Sequence, residues 1–284
     1  MTTFARRRTA GFTLLELIIV LVLTTIIGAT VAVFVRPVID AYSDTRSRVV
    51  LGDMGDTALR RMVRDIRVAV PNSLRTPGEA CFELVPSVTG GRYRMGPNAA
   101  NDAWWVNTSA ATTGFDVLST LSRQPAVGDF VVINNQNGND VYNGANRATV
   151  SAVSTPSSTQ GTLRLTISAL QVSPGYDGGR FQVVSQGERS VFYVCESAGL
   201  SADGSTGTGV LWRLRRDFNA TYPTACPSGS GGTVLARNIS RCRFVYNPNQ
   251  GATQQSGFVY LELAITRNGE TATLTHGAHV LNVP

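Results

Sequence analysis

The strongest constraint on this chain is an apolar run over residues 12–35 that is interrupted by a single acid, Glu16. As a helix rising ~1.5 Å per residue, the run spans about 36 Å and exceeds the ~30 Å hydrocarbon core of a bilayer. It is also longer than the apolar core of a secretory signal peptide. A carboxylate at the centre of such a helix costs about 2.5–3.5 kcal/mol, and less near an end. We therefore predict a membrane-spanning helix in which Glu16 has a partner.

The charges that precede the run predict its orientation. Arg6, Arg7 and Arg8 stand before it, and arginine-rich flanks stay in the cytoplasm. The chain beyond about Arg36 is then expected in the periplasm of a Gram-negative cell. A plain signal anchor shares this flank and this length, but it gives no reason for the acid.

The residues Gly11-Phe12-Thr13-Leu14, followed by Glu16, resemble the N-terminal signature of type IV prepilins and pseudopilins. The resemblance implies that prepilin peptidase cuts after Gly11 and that the new terminal residue, Phe12, is N-methylated. It also implies that Glu16 meets the terminal amine of a neighbouring subunit, where the two buried charges neutralise each other. A carboxyl that is protonated or tilted to the membrane interface is the alternative interpretation.

Beyond the span, apolar residues recur at i+3 and i+4 spacing and predict an amphipathic helix that ends before Pro71. Two pairs at i, i+4 spacing, Asp56–Arg60 and Arg61–Asp65, support it. A sheet is needed to cover its apolar stripe, which consists of Leu51, Met54, Ala58, Met62, Ile66 and Ala69.

The rest of the chain predicts a β-rich globular domain, because β-forming runs alternate with clusters of Gly, Ser, Asn and Pro. Residues 258–267 alternate apolar and polar side chains, which is typical of a half-buried strand in an antiparallel sheet. Residues 90–114 and 201–209 are expected as loops. The predicted strands are 81–86, 129–134, 161–167, 179–185, 190–196, 210–218, 237–246 and 258–267.

The predicted fold class is therefore α+β, with a long N-terminal helix packed on an antiparallel β-sheet domain. The predicted divisions are a cleaved leader at 1–11, a transmembrane and assembly helix at 12–35, its periplasmic amphipathic half at 36–71, and a β-rich globular domain at 72–284.

The chain has four cysteines, Cys81, Cys195, Cys226 and Cys242, all in the expected exported part. An even number in an oxidising compartment indicates two disulfides, for which three pairings are possible. We favour Cys226–Cys242, which closes a short C-terminal loop, together with Cys81–Cys195. A metal site is not expected, because the chain has no Cys-x-x-Cys pair and neither histidine adjoins a cysteine.

Catalytic motifs are missing from the sequence. The chain contains no lysine, which excludes a P-loop, and it has no G-x-S-x-G or HExxH motif. His276 and His279 would diverge on a strand without a third ligand, and the oxygen-rich residues 134–140 lack the acid spacing of an EF-hand. We therefore expect no enzyme activity, no cofactor and no bound metal.

Charge gives little reason to expect nucleic acid as a partner. The formal net charge of +6 includes the three leader arginines, and removing them leaves +3. The best candidates for phosphate contacts are Arg213, Arg215 and Arg216 beside Trp212, together with the helix arginines Arg60, Arg61, Arg64 and Arg67. A solvated face is the favoured interpretation of these arginines.

Three further segments resemble one group within the type IV pilin superfamily. Residues 69–75, 82–86 and 279–284 resemble the MshO-like minor pilins of the mannose-sensitive haemagglutinin (MSHA) pilus. J-type minor pseudopilins of type II secretion and W-type minor pilins share the same layout. The chain departs from major pilins at Val33, where they often have proline, and its domain is larger than theirs.

The resemblance implies a minor pilin that is anchored in the inner membrane with its C-terminal domain in the periplasm and later carried into the pilus at the cell surface. Its expected partners are prepilin peptidase (which is also the methylase), the major pilin and other minor pilins. The alternatives are a tip adhesin or DNA-uptake subunit, whose loops at 90–114 and 201–209 would touch a ligand, and a J-type pseudopilin of type II secretion.

Overall fold

The computed structural model describes residues 11–98, 101–157, 159–250 and 256–282. The fold is α+β, as predicted, with one long N-terminal helix and antiparallel β-sheets. The chain divides into two compact units, of which the first ends at Val49 and the second begins at Val50. The predicted divisions at residues 11, 35 and 71 stay predictions.

The elements of the described residues are α1 (Leu14–Arg67), β1 (Arg75–Gly78), β2 (Cys81–Leu84), β3 (Thr89–Arg92), β4 (Thr112–Val117), β5 (Phe130–Val132), α2 (Asp140–Asn143), β6 (Arg147–Ser154), β7 (Leu163–Leu170), β8 (Arg180–Val184), β9 (Ser190–Glu196), β10 (Gly209–Arg216), β11 (Thr233–Gln250), β12 (Ser256–Arg267) and β13 (Glu270–Leu281).

The first unit contains the apolar part of α1. Its segment Leu14–Ile39 has a mean hydropathy of 2.8 and is long and apolar enough to cross a membrane. The hydroxyls of Thr24, Thr25 and Thr30 each donate to a backbone carbonyl one turn earlier, at 2.8–3.0 Å. Their polar groups are thus satisfied inside the helix, as a lipid environment requires.

The second unit begins with the amphipathic part of α1, and the predicted stripe is confirmed. Leu51, Ala58, Met62 and Ile66 are buried in one cluster with residues of the sheet, and the same cluster includes Leu59 and Val63, while Met54 and Ala69 pack against it. The predicted ion pairs also form, with Arg60 Nε 2.5 Å from Asp56 Oδ2 and Arg61 Nε 3.4 Å from Asp65 Oδ1.

The helix ends at Arg67, before the predicted limit at Pro71. The backbone then pairs with the segment after β2: Ala69 forms a bridge with Pro86, and the Val70 N–H donates to the Val85 carbonyl at 2.8 Å. Non-local backbone pairing has replaced the last helical turn.

A seven-stranded antiparallel sheet carries the core against which α1 packs. Its strand order is β1-β2-β9-β10-β11-β12-β13. The predicted alternation in β12 is confirmed on the core side, where Val259, Leu261, Leu263 and Ile265 are buried. Thr266, expected on the other face, is buried too, and its hydroxyl donates to Ser240 Oγ at 2.8 Å.

The other six strands form a small antiparallel barrel, which the sequence did not predict. Their order is β3-β8-β5-β6-β7-β4. The chain just after β3 closes the circle, because the Arg94 N–H donates to the Asp116 carbonyl at 3.0 Å and the Leu118 N–H to the Arg92 carbonyl at 2.8 Å. A separate apolar cluster that includes Phe115, Leu165 and Phe181 lies in this body. The barrel is thus an insertion between β2 and β9, which are direct neighbours in the sheet.

The predicted strands are all present with shifted ends, but five strands were missed: β1, β3, β4, β6 and β13. Two of these, β3 and β4, overlap the predicted loop at 90–114. The predicted loop at 201–209 contains no strand before Gly209, where β10 begins.

Both disulfides form, but the predicted pairing is wrong. The bonds are Cys81–Cys226 and Cys195–Cys242, with Cα–Cα distances of 5.7 and 6.4 Å. Cys81 lies opposite Val194 in the β2–β9 ladder, so Cys195 points to the other face of the sheet. Two cysteines on opposite faces cannot bond to each other.

Peptide mapping tests this pairing. Since the chain lacks lysine, trypsin cuts only after arginine, and the four cysteines fall on four different peptides. A non-reduced digest is expected to contain the linked pairs Cys81–Cys226 and Cys195–Cys242, and reduction should release all four peptides. A linked Cys226–Cys242 pair would contradict the fold of the sheet.

Two glycines of α1 differ in what surrounds them. A Cβ built on Gly55 would lie 2.7 Å from Leu274 Cδ1 and 3.2 Å from Ile265 Cδ1, so the helix approaches β12 and β13 at this point. A Cβ on Gly52 would meet nothing within 4 Å. Close packing therefore favours glycine at position 55 and sets no such condition at position 52.

The same substitution at both positions separates packing from helix propensity. Gly52→Gln should stabilise the protein by about 0.5–1 kcal/mol, because glycine is a poor helix former. Gly55→Gln should destabilise it by about 1–3 kcal/mol through overpacking. Denaturant unfolding of the full chain in non-ionic detergent, followed by circular dichroism, measures both, and equal effects would contradict the close approach.

Candidate functional site at the helix N terminus

The first turn of α1 is closed by two reciprocal hydrogen bonds. The Glu16 N–H donates to Thr13 Oγ1 at 3.2 Å, and Glu16 Oε2 accepts from the Thr13 N–H at 3.2 Å. The Thr13 hydroxyl also lies 3.2 Å from Glu16 Oε2. Thr13 is the residue before the helix and Glu16 its third residue, so this arrangement is a capping box.

The capping box gives Glu16 a partner inside its own chain. The carboxylate lies in the first turn, where the partial positive charge of the helix N terminus favours an acid. Thr13 is a functional residue that the sequence analysis missed, although the pattern Thr-x-x-Glu before an apolar run indicates a helix start. Among the described residues, the side-chain contacts of Glu16 all use Oε2 and none uses Oε1.

Gly11 and Phe12 stand before the helix and are exposed. Phe12 is 84 % exposed, and a Cβ on Gly11 would meet nothing within 4 Å. The bond between them lies outside regular secondary structure, so a peptidase can reach it without unwinding α1. The leader arginines Arg6, Arg7 and Arg8 lie outside the described residues.

One comparison decides the interpretation of this segment. The prokaryotic N-terminal methylation motif matches residues 6–32. The methylation motif contains Gly11, Phe12 and Glu16, and it supports a type IV pilin-like protein that is processed at its N terminus. It implies prepilin peptidase and the assembly partners of a pilus or pseudopilus, and its proteins are structural subunits. Together with the apolar helix, it fits anchoring in the inner membrane. Comparison with curated proteins and with solved structures gives no significant match.

The two histidines do not form a ligand pair. They lie three residues apart on β13 and therefore on opposite faces. His276 Nε2 is 3.4 Å from Asp56 Oδ1, and the His279 ring packs on Phe258 with ring centres 5.2 Å apart. Within the described residues no group of three or more His, Cys, Asp or Glu side chains is placed to hold a metal.

The oxygen-rich residues 134–140 form a polar turn whose groups serve the protein itself. The Asn135 side-chain amide donates to the Pro71 carbonyl at 2.5 Å, and the Asp140 carboxylate accepts from the Asn137 side-chain amide at 2.8 Å. Asn139 Oδ1 accepts from Arg75 at 2.5 Å.

Arg75 is buried and contacts several separate segments of the chain, and no pattern in the sequence predicted this role. Its guanidinium lies 3.2 Å from the centre of the Tyr142 ring and 3.6 Å from Glu83 Oε2. It also donates to the carbonyls of Asn219 and Thr221. Burial lowers the pKa of Arg75 and raises that of Glu83. Arg75 thus links β1 to the 134–140 turn and to the segment after β10.

The loops expected to meet a ligand are internally bonded. In the 90–114 region, the Arg94 guanidinium donates to the Trp104 carbonyl at 2.8 Å and pairs with Asp102. From outside the region, Arg164 on β7 binds both oxygens of buried Asp116, at 2.6 and 3.0 Å, and stacks over the Trp104 ring at 4.2 Å. In the 201–209 loop, hydrogen bonds from Ser201 and Ser205 lower the pKa of Asp203 to about 2. The polar side chains of the 201–209 loop thus bond to one another, because the Ser201 and Ser205 hydroxyls both donate to the Asp203 carboxylate.

The arginine run of β10 separates into a buried and an exposed part. Arg213 is buried, lies 2.7 Å from Asp65 Oδ2 and 2.6 Å from Glu188 Oε1, and cannot reach a phosphate. Burial acts to lower its pKa, but the bonds to these carboxylates outweigh it, so the pKa is raised. Arg215 is exposed and shares Glu188 at 2.9 Å. The predicted solvated face is therefore wrong for Arg213 and holds for Arg215 and Arg216.

Removing Arg213 tests this buried network. Arg213→Met leaves the Asp65 carboxylate buried without its main partner, and we expect a loss of about 3–5 kcal/mol in the free energy of unfolding. Arg237 is an exposed strand arginine, so Arg237→Met should stay within about 0.5 kcal/mol of the parent. Adding Asp65→Leu to Arg213→Met should restore part of the loss. Denaturant unfolding provides the measurement, and equal losses for both single variants would exclude the network as a source of stability.

Proposed function

We propose that this chain is a minor pilin that is inserted in the inner membrane, cut after Gly11 by prepilin peptidase, methylated on Phe12 and built into a type IV pilus of the MSHA kind. The observation that carries the proposal is the position of Glu16, held by Thr13 in the first turn of an exposed apolar helix. The proposed partners are the major pilin and other minor pilins.

Cleavage would create the second half of an intermolecular contact. It leaves an amine on Phe12, which in hydrocarbon is as costly to bury as the Glu16 carboxylate. The amine of one subunit and the carboxylate of the next neutralise each other only when the helices are in register. The capping box supports this use, because it orients the carboxylate through Oε2 and, among the described residues, no bond uses Oε1. Glu16 is then an assembly selector rather than a catalytic acid.

The disulfides and the inserted barrel support an exported, low-copy subunit. Two disulfides are expected where the compartment is oxidising, in agreement with a periplasmic domain that later reaches the cell surface. The barrel enlarges the globular part beyond the sheet that α1 needs as a cover. A minor component tolerates such bulk better than a subunit that repeats along the whole filament.

The barrel also favours a second candidate, a binding subunit at the filament tip that acts as an adhesin or in DNA uptake. Deleting the gene separates the two: loss of all filaments supports assembly, whereas normal filaments with lost attachment or uptake support tip binding. A J-type pseudopilin of type II secretion would use the same N-terminal chemistry with other partners.

Three substitutions separate the charge of Glu16 from its capping role. Glu16→Gln keeps a side chain that can close the capping box but removes the charge. Thr13→Ala weakens the cap by about 1 kcal/mol but keeps the charge. Glu16→Ala removes both. We expect Glu16→Gln and Glu16→Ala to lose most incorporation into sheared filaments, and Thr13→Ala to keep most of it.

Mass spectrometry of the membrane fraction is the control for this series. Each variant should still carry methylated Phe12 as its first residue, which shows that insertion and processing are intact. An unprocessed terminus in the parent protein would overturn the pilin proposal as a whole. Normal incorporation of Glu16→Gln would overturn the charge pairing alone.

A further inference from the structure

The outer face of the barrel contains two arginines directly opposite each other. Arg92 on β3 pairs with Arg180 on β8 in the antiparallel ladder, and both side chains are exposed. The next residues along the two strands, Gly91 and Phe181, form the adjacent pair and lie on the opposite face of the sheet. On that face Phe181 is buried in the barrel core. Like charges in directly opposite positions repel each other and destabilise a sheet.

Neither guanidinium is neutralised by a carboxylate of the described residues. Within the described residues the side chains of Arg92 and Arg180 make no hydrogen bond and no ion pair. Other arginines of the barrel differ in this respect: Arg164 is bound by Asp116, and Arg147 donates to the Tyr142 carbonyl at 2.9 Å. The other arginines on strands of the barrel thus have an acidic or carbonyl partner, whereas the positive charges of Arg92 and Arg180 have none among the described residues.

The pair lines a groove of about 310 Å³, and none of the described residues that line it is acidic. The next pair on the same face is Gly90 and Gln182. Gly90 contributes exposed backbone to the groove lining, and Gln182 contributes a side-chain amide. A Cβ on Gly90 would lie 2.8 Å from the Phe181 carbonyl oxygen, so glycine keeps this part of the groove open.

Hydroxyl groups complete the groove. Ser119 Oγ accepts from the Arg92 N–H at 2.9 Å, which leaves its own proton free to donate, and Thr120 lies beside it in the lining. Two guanidinium groups, an amide and hydroxyl donors match the acceptor oxygens of a phosphate or sulfate group, and arginine binds such groups through two parallel N–H bonds.

We propose that the groove formed by Arg92, Arg180, Gln182 and Ser119 binds a phosphate or sulfate group of a small ligand. Binding neutralises the cross-strand repulsion and fills the groove. A polymeric nucleic acid needs an extended basic track with exposed aromatics for stacking. The groove has two arginines, and the aromatic residue in its lining, Phe181, is buried in the barrel core.

Arginine-specific modification of the full chain in non-ionic detergent tests this site. Phenylglyoxal modifies exposed arginines, and tryptic mass spectrometry reports the rate at each position. With inorganic phosphate at about twice its Kd, modification of Arg92 and Arg180 should slow about threefold relative to chloride at equal ionic strength. Exposed Arg237 in the same sample is the internal control and should be unaffected.

Further probes distinguish the source of the anion. Stronger protection by glucose 6-phosphate or glucosamine 6-sulfate than by the inorganic anions indicates a sugar-borne group, and equal protection indicates a free anion. Equal modification rates in phosphate and in chloride, equal slowing at Arg237, or protection only by a single-stranded oligonucleotide would overturn the proposal.

Variants supply an independent readout. Arg92→Gln and Arg180→Gln should each lose the phosphate-dependent rise in Tm, and each should raise the Tm in low salt without phosphate because the repulsion is gone. Arg237→Gln changes the charge equally and should keep the phosphate response of the parent. An unchanged phosphate response in both groove variants would exclude the site.

Discussion

The packing of the second part of α1 on the seven-stranded sheet is the contact on which the rest of the globular unit depends. The stripe from Leu51 to Ile66 and the core side of β12 form one apolar cluster, and Gly55 allows the close approach. The sheet in turn keeps β2 and β9 side by side. Because those two strands are fixed next to each other, the long chain between them can fold as a separate barrel without disturbing the sheet.

Several buried polar groups of this protein are bound by arginine side chains. Arg75 stacks on the Tyr142 ring. Arg213 forms ion pairs with Asp65 and Glu188, and Arg164 forms an ion pair with Asp116. The planar guanidinium suits this use, since it offers five donors in fixed directions and stacks on rings. Within such sites each charge is matched by a carboxylate, a carbonyl or an aromatic face. The contrast makes the uncompensated pair Arg92 and Arg180 informative.

The N terminus combines a local and an intermolecular role in one side chain. Glu16 closes a capping box with Thr13, which stabilises the start of α1 whether or not another subunit is present. The charge-pairing role needs only the second carboxylate oxygen and the amine that cleavage would expose. The two roles are therefore compatible. The acid at position 16 stabilises the start of α1 even in a subunit that has not yet been assembled.

The sequence by itself determined what depends on local patterns: the apolar helix, its amphipathic continuation, the α+β class, the alternation in β12 and the processing motif around Gly11 and Glu16. Each of these follows from a periodicity or a motif within a few turns of chain. Even the missed capping residue, Thr13, was readable from its spacing to Glu16.

Tertiary structure alone decided the strand order, the closure of the barrel and the disulfide pairing. Cys81 and Cys195 were excluded from each other by one position of register between β2 and β9, which no local pattern encodes. The burial of Arg213 likewise depends on Asp65, which lies far away in sequence. The physical reason is that strand neighbours and buried charge partners are selected by non-local packing, and a one-residue change of register moves every side chain to the opposite face.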